Sequence, residues 1–216
     1  SLAMASALKL TPAVLGILLL YNKQWKEAIR TVIYGLILGM VPFLFFHGGL
    51  VNIGRMFHNA ALNVQAYSST EGTTIVAALV AFGVNATDGM IKIVKCITYV
   101  IVLLLFIQCL FYKEKWEVIM AVSMVLIIAP SHSGYYCIMY LIPAAIAFLN
   151  AKEHSYSDLL ILFSIILIVM DFQCDLFEYV LNYHLAIMLI LAVLLIRGFV
   201  RMYDVIKHKS DNSMAK

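Results

Sequence analysis

Lys9 stands inside an apolar run and is followed by Thr11 and Pro12. A lysine at membrane depth costs about 2.5–3.5 kcal/mol on insertion scales, so it usually meets protein, water or an anion. The proline removes a helical hydrogen bond and opens room for a kink beside it. Lys9 is therefore a candidate for holding a lipid phosphate; snorkelling to a nearby interface is the alternative. A second group follows His47-Gly48-Gly49, where Arg55 and His58 share a stretch with Asn52, Asn59 and Asn63. His47, Arg55 and His58 can bind an anionic or sugar substrate, although each alone is an ordinary solvated residue. The third group is Pro130-Ser131-His132-Ser133-Gly134-Tyr135-Tyr136, uncharged and dense in hydroxyls and aromatics. His132, flanked by Ser131 and Ser133, can donate to phosphate or sugar oxygens. Tyr135 and Tyr136 fit either a substrate edge or an interfacial aromatic belt.

These groups sit in a chain built for lipid. Hydrophobic residues make up 63% of its 216 residues, charged ones 12%, and the mean hydropathy is +0.95. A soluble domain needs more polar surface than that. The apolar residues fall in long runs separated by short charged clusters, which predicts an all-α polytopic bundle with about seven spanning helices. The expected spans are 1–20, 28–46, 91–111, 118–129, 136–149, 159–170 and 180–200. Together they give one transmembrane domain over 1–209 and a disordered tail over 210–216. No Walker A loop, HExxH, GxSxG or metal cluster occurs. Cys96, Cys109, Cys137 and Cys174 have no metal spacing and read as small hydrophobes. The net charge of +3 belongs to loop ends and does not indicate nucleic acid.

Charge distribution sets orientation. Lys23, Lys26, Arg30, Lys113, Lys115, Lys152, Arg197, Arg201, Lys207 and Lys209 mark one side. The alternate loops are uncharged at 130–135, or acidic with Asp171, Asp175 and Glu178. The C-terminus is thus expected inside, the N-terminus outside, and the 47–89 segment outside; Lys92 and Lys95 are the exceptions. Within that segment Leu50, Ile53, Phe57 and Ala61 recur at helical spacing, which predicts an interfacial amphipathic helix. A second piece, Ile75 to Phe82, follows Thr73 and Thr74 as caps and is too short to span. It is expected to be re-entrant, to lie along the surface, or to pack over the bundle. The chain starts in an apolar run without an initiator Met, so residues before Ser1 are expected.

The order of these motifs resembles glycosyltransferase family 87. Ala7-Leu8-Lys9-Leu10-Thr11-Pro12 is followed by the basic turn Lys23-Gln24-Trp25-Lys26-Glu27-Ala28. Val41-Pro42-Phe43 then leads into His47-Gly48-Gly49, and Ala129-Pro130-Ser131-His132 leads to Tyr140-Leu141-Ile142-Pro143-Ala144. The resemblance covers roughly residues 1–150. It implies a GT-C type enzyme of a bacterial cytoplasmic membrane that needs no cofactor. Such an enzyme moves a hexose, usually mannose, from a polyprenyl-phosphate carrier to a lipid or glycan acceptor on the extracytoplasmic face. The chemistry needs a carboxylate base, which in such enzymes lies in the first outer loop; here that loop is expected upstream of Ser1, leaving the chain inactive alone. Glu71 and Asp88 are outer-side carboxylates that match no motif. Where relatives carry paired histidines, this chain has Tyr135 and Tyr136. A lipid-linked glycan ligase or polymerase would bring more outer arginines than Arg55. A secondary transporter or flippase would bring related halves with paired broken helices, and no internal repeat is evident.

Overall fold

The computed structural model describes residues 14–66, 72–130, 135–170 and 182–214; side chains are described for 14–59, 72–130, 137–169 and 182–207. Every regular element among them is helical, as the apolar runs predict. The chain divides into two compact units, 1–68 and 69–216, where the sequence suggests a single domain over 1–209.

In the first unit, α1 (Gly16–Tyr21) turns into α2 (Trp25–Phe45) through Asn22 and Lys23. Lys23 adopts the left-handed region at φ 58°, and its N–H reaches Leu20 O at 2.9 Å. This closes the helix end with a lysine where glycine is usual. Pro42 lies within α2, and no residue of that helix is buried. Then comes α3 (Val51–Ala66), over the stretch whose spacing predicts an amphipathic helix.

The second unit begins with α4 (Ile75–Ala81), capped by Thr74, whose Oγ1 accepts from Ala77 N at 3.1 Å. Ile75, Val76, Ala77, Ala78 and Ala81 are buried, so α4 packs over the bundle, against the next helix and the last. Next are α5 (Asp88–Gln108), capped by Thr87, and α6 (Lys115–Ile128). A 3-10 helix (Tyr135–Tyr140) runs into α7 (Leu141–Leu149), then α8 (Asp158–Met170) and α9 (Asn182–Met214). The last helix continues well past residue 200, over part of the expected tail.

Among the described residues, three helices are long and apolar enough to cross a membrane: α2, α5 and residues Asn182–Lys207 of α9. The seven expected crossings are therefore met in part. At about 1.5 Å per residue, α6 is only about 21 Å long. It is buried on nearly every side, from Trp116 to Ile128. Protein rather than lipid surrounds α6, so its length need not match the bilayer.

One guanidinium joins three of these helices. Glu117 Oε2 accepts the Glu114 N–H at 3.2 Å, and Asp158 Oδ2 accepts the Ser155 N–H at 2.7 Å. Each carboxylate thus satisfies an orphan donor at its own helix start, in the pattern of a capping box. Their other oxygens both accept from Arg197 of α9: Glu117 Oε1 from Nη1 at 3.2 Å, and Asp158 Oδ1 from Nη2. Ser155 and Ser157 also accept from the guanidinium, which lies 5.2 Å from the Trp116 ring centre. One arginine against two carboxylates leaves a formal charge of −1, and two helix N-termini offset it with roughly half a positive charge each. His154 Nδ1, 3.4 Å from Asp158 Oδ2, adds a second cation when protonated.

A neutral joint lies beside this one. Gln108, fully buried in α5, donates through Nε2 to Leu195 O at 3.2 Å. Tyr112 OH donates to Leu194 O at 2.9 Å. Burial pushes the Tyr112 phenol above its ordinary range, with Cys109 and Glu117 adding to the shift and Arg197 opposing it, so the hydroxyl stays a donor. Gly198 makes this approach possible, because a Cβ there would overlap the Gln108 side chain.

Substitutions at each joint test them in the purified full chain. Arg197→Ala leaves two buried carboxylates uncompensated and should cost about 3–5 kcal/mol, seen as a large fall in Tm. Arg197→Lys should recover only part of it, because an ammonium lacks the guanidinium fork. Gly198→Ala should cost about 1–3 kcal/mol by overpacking, and Gln108→Ala in the same chain should relieve the clash. Unchanged Tm values would contradict both joints.

Candidate functional site

His47, Arg55 and His58 fall in one loop–helix segment of the first unit. The backbone is extended at Phe46 and turns through Gly48 and Gly49 at φ 101° and 56°, a region that favours glycine. Asn52 Nδ2 donates to His47 O at 3.0 Å and closes the turn. On α3, Arg55 and His58 lie one turn apart and exposed, opposite Ile53 and Phe57. The helix contains no Asp or Glu, and Arg55 has no ion pair among the described residues. The segment thus offers an arginine and an imidazole on one polar face, above an apolar face. That arrangement can donate hydrogen bonds to a phosphate or sugar at a lipid surface.

The remaining candidates are placed less completely. Lys9, Ser131 and His132 lie outside the described residues. Tyr135 opens the 3-10 helix of the second unit, and its side chain is not among those described. Their neighbour Pro130 is described, and it lines a narrow crevice with Thr74, Lys95, Thr98 and Tyr99.

The opposite end of the second unit holds a larger cavity, of about 550 Å³, around Arg197. Glu114, Trp116, Glu153, His154 and Arg201 complete its polar lining. Glu117 and Asp158, 1% and 4% exposed, have both oxygens engaged. One oxygen of each is held by the Arg197 guanidinium and the other by a backbone N–H at its own helix start. Among the described residues, no group of three or more His, Cys, Asp or Glu could hold a metal ion. The geometry marks this cluster as a joint between helices.

Sequence reasoning missed this cluster because Arg197 reads as one more basic residue at an inner helix end. The signals were present: Glu114-x-x-Glu117 and Ser155-x-x-Asp158 each stand just before an apolar run, with a carboxylate in the first turn of the helix. Arg197 itself interrupts the apolar stretch from Leu185 to Val200.

A comparison with protein-family models places glycosyltransferase family 87 over residues 1–132. The matched stretch contains the Lys9-Leu10-Thr11-Pro12 run, the Trp25 turn, Pro42-Phe43, His47-Gly48-Gly49 and Pro130-Ser131-His132. It stops short of Tyr140–Ala144, so the likeness expected over residues 1–150 is shown over a shorter range. Neither the curated proteins nor the solved structures give a match. Matched over residues 1–132 of 216, more than half its length, the chain belongs to glycosyltransferase family 87, a family of membrane glycosyltransferases.

Proposed function

We propose that the protein acts in transferring a hexose, mannose foremost, from a polyprenyl-phosphate carrier to a lipid or glycan acceptor. The reaction face is the extracytoplasmic side of a bacterial cytoplasmic membrane. The observation that carries this reading is the family match, because it spans Lys9, His47, Arg55, His58, Ser131 and His132 together. In support, α3 presents Arg55 and His58 on an acid-free helix with an apolar face opposite.

The transfer forms a bond from an acceptor oxygen to the sugar's anomeric carbon and breaks the bond from that carbon to the carrier phosphate. A base removes the acceptor proton, and the departing phosphate keeps the electron pair of the broken bond. Cations and hydrogen-bond donors speed this step by holding the charge that grows on the phosphate. Lys9, Arg55 and His132 are the residues proposed for that task, with His47, His58, Ser131 and Tyr135 contacting the sugar or its carrier. Glu117 and Asp158 are assigned to holding helices rather than to the base, because each is buried and bound to Arg197 and to a helix-start N–H.

The test is transfer by the full-length protein in membranes, offered polyprenyl-phosphate-mannose or a nucleotide sugar. Transfer from the lipid-linked donor alone is expected. A charge-assisted hydrogen bond contributes about 1.5–3 kcal/mol, so Lys9→Ala should raise the donor KM roughly 10- to 100-fold with expression intact. Transfer only from the nucleotide sugar would overturn the donor class, and an unchanged KM would remove Lys9 from the phosphate site.

A further inference from the structure

We infer that Lys95 is a phosphate-binding residue for the lipid carrier, a role that rests on the lipid-linked donor proposed above. Three observations meet at this side chain. The first is its placement by charge: Lys92 and Lys95 stand in the first two and a half turns of α5, at the end where the other boundaries carry almost no Lys or Arg. Basic residues there run against the usual bias toward the inner side. The second is depth. With a rise of about 1.5 Å per residue, Lys95 lies about 10 Å along the helix from Asp88. A lysine at that level extends its stem along apolar surface and brings its ammonium toward the interface, where a lipid phosphate sits.

The third is the local surroundings. Lys95 is half-buried and lines a crevice with Thr74, Thr98, Tyr99 and Pro130. It is the one charged residue in that lining, and among the described residues no carboxylate pairs with it. Asp88 is four residues from Lys92 but seven from Lys95, so the outer lysine is the closer in sequence to that carboxylate. Pro130 leads directly into Ser131 and His132, which links the crevice along the chain to the residues proposed for the departing phosphate. The ligand chemistry is a phosphate ester on a membrane lipid, and its two possible sources are the polyprenyl carrier and an ordinary anionic phospholipid. An ammonium without an ion pair among the described residues, close in the chain fold to Pro130 and the donor-handling loop, favours the carrier.

The experiment uses the full-length protein in phosphatidylcholine nanodiscs and measures polyprenyl phosphate binding alongside transfer from polyprenyl-phosphate-mannose. Lys95→Ala should weaken binding about tenfold or more and raise the donor KM by a similar factor, with kcat changed less than about twofold. Lys95→Arg should restore most of both, which a purely structural role for the side chain would not produce. Wild-type affinity in Lys95→Ala overturns the assignment. Displacement of polyprenyl phosphate by an equal fraction of phosphatidylglycerol overturns the carrier as the ligand. Lys95-dependent binding without any transfer from the lipid-linked donor supports the phosphate site while removing the proposed donor reaction.

Discussion

A single guanidinium fixes the register of the second unit. Arg197 receives one oxygen from each of two carboxylates whose other oxygens cap α6 and α8. The starts of those two helices must therefore lie at one level, and α9 must pass them at the depth of its sixteenth residue. In lipid no hydrophobic force distinguishes one helix pairing from another, so polar joints and close packing decide which faces meet. Trp116 illustrates the economy of the arrangement. Its ring packs edge-on to Phe148 of α7 at 5.0 Å and also faces Arg197. One residue at the start of α6 thus touches both the following helix and the last. The neighbouring Gln108–Gly198 approach adds a second fixed point on α9, this time from α5.

The long helices were legible because length and apolarity are local properties. Thr74 also announced its helix by standing immediately before an apolar run, and its side chain accepts the expected backbone N–H. The short helices were harder. α6, α7 and α8 span 14, 9 and 13 residues, and their lengths follow from what surrounds them, which no local window contains. Arg197 was hidden for the same reason: its partners lie 80 and 39 residues away, and each looks like a helix cap when read alone. The amphipathic face of α3 was readable from its spacing.

The family is carried by ordered short motifs, and these concentrate in the first 132 residues. Of the helices beyond them, α8 and α9 are tied to that stretch by polar groups that sequence order does not reveal, and α7 by the Trp116–Phe148 ring contact. Glu117, Trp116, Gln108 and Tyr112 belong to the matched stretch; Arg197, Asp158 and Gly198 do not. The two ends of the second unit accordingly differ in character. At the Arg197 end, buried charges are matched to one another and to helix ends. At the Pro130 end, hydroxyls and a lysine line a crevice without a carboxylate. The first group holds helices together, whereas Lys95 in the second has no ion pair among the described residues.

We propose that these two ends lie on opposite sides of the membrane, with the Pro130 end outside. Thiol labelling with a membrane-impermeant maleimide tests it in cells expressing the protein without its native cysteines. Asn85→Cys and Glu153→Cys report the two ends, since both positions are exposed. Labelling of the residue-85 thiol in intact cells, and of the residue-153 thiol only after permeabilisation, is the predicted result. Labelling of the residue-153 thiol in intact cells would contradict the orientation and the functional reading built on it.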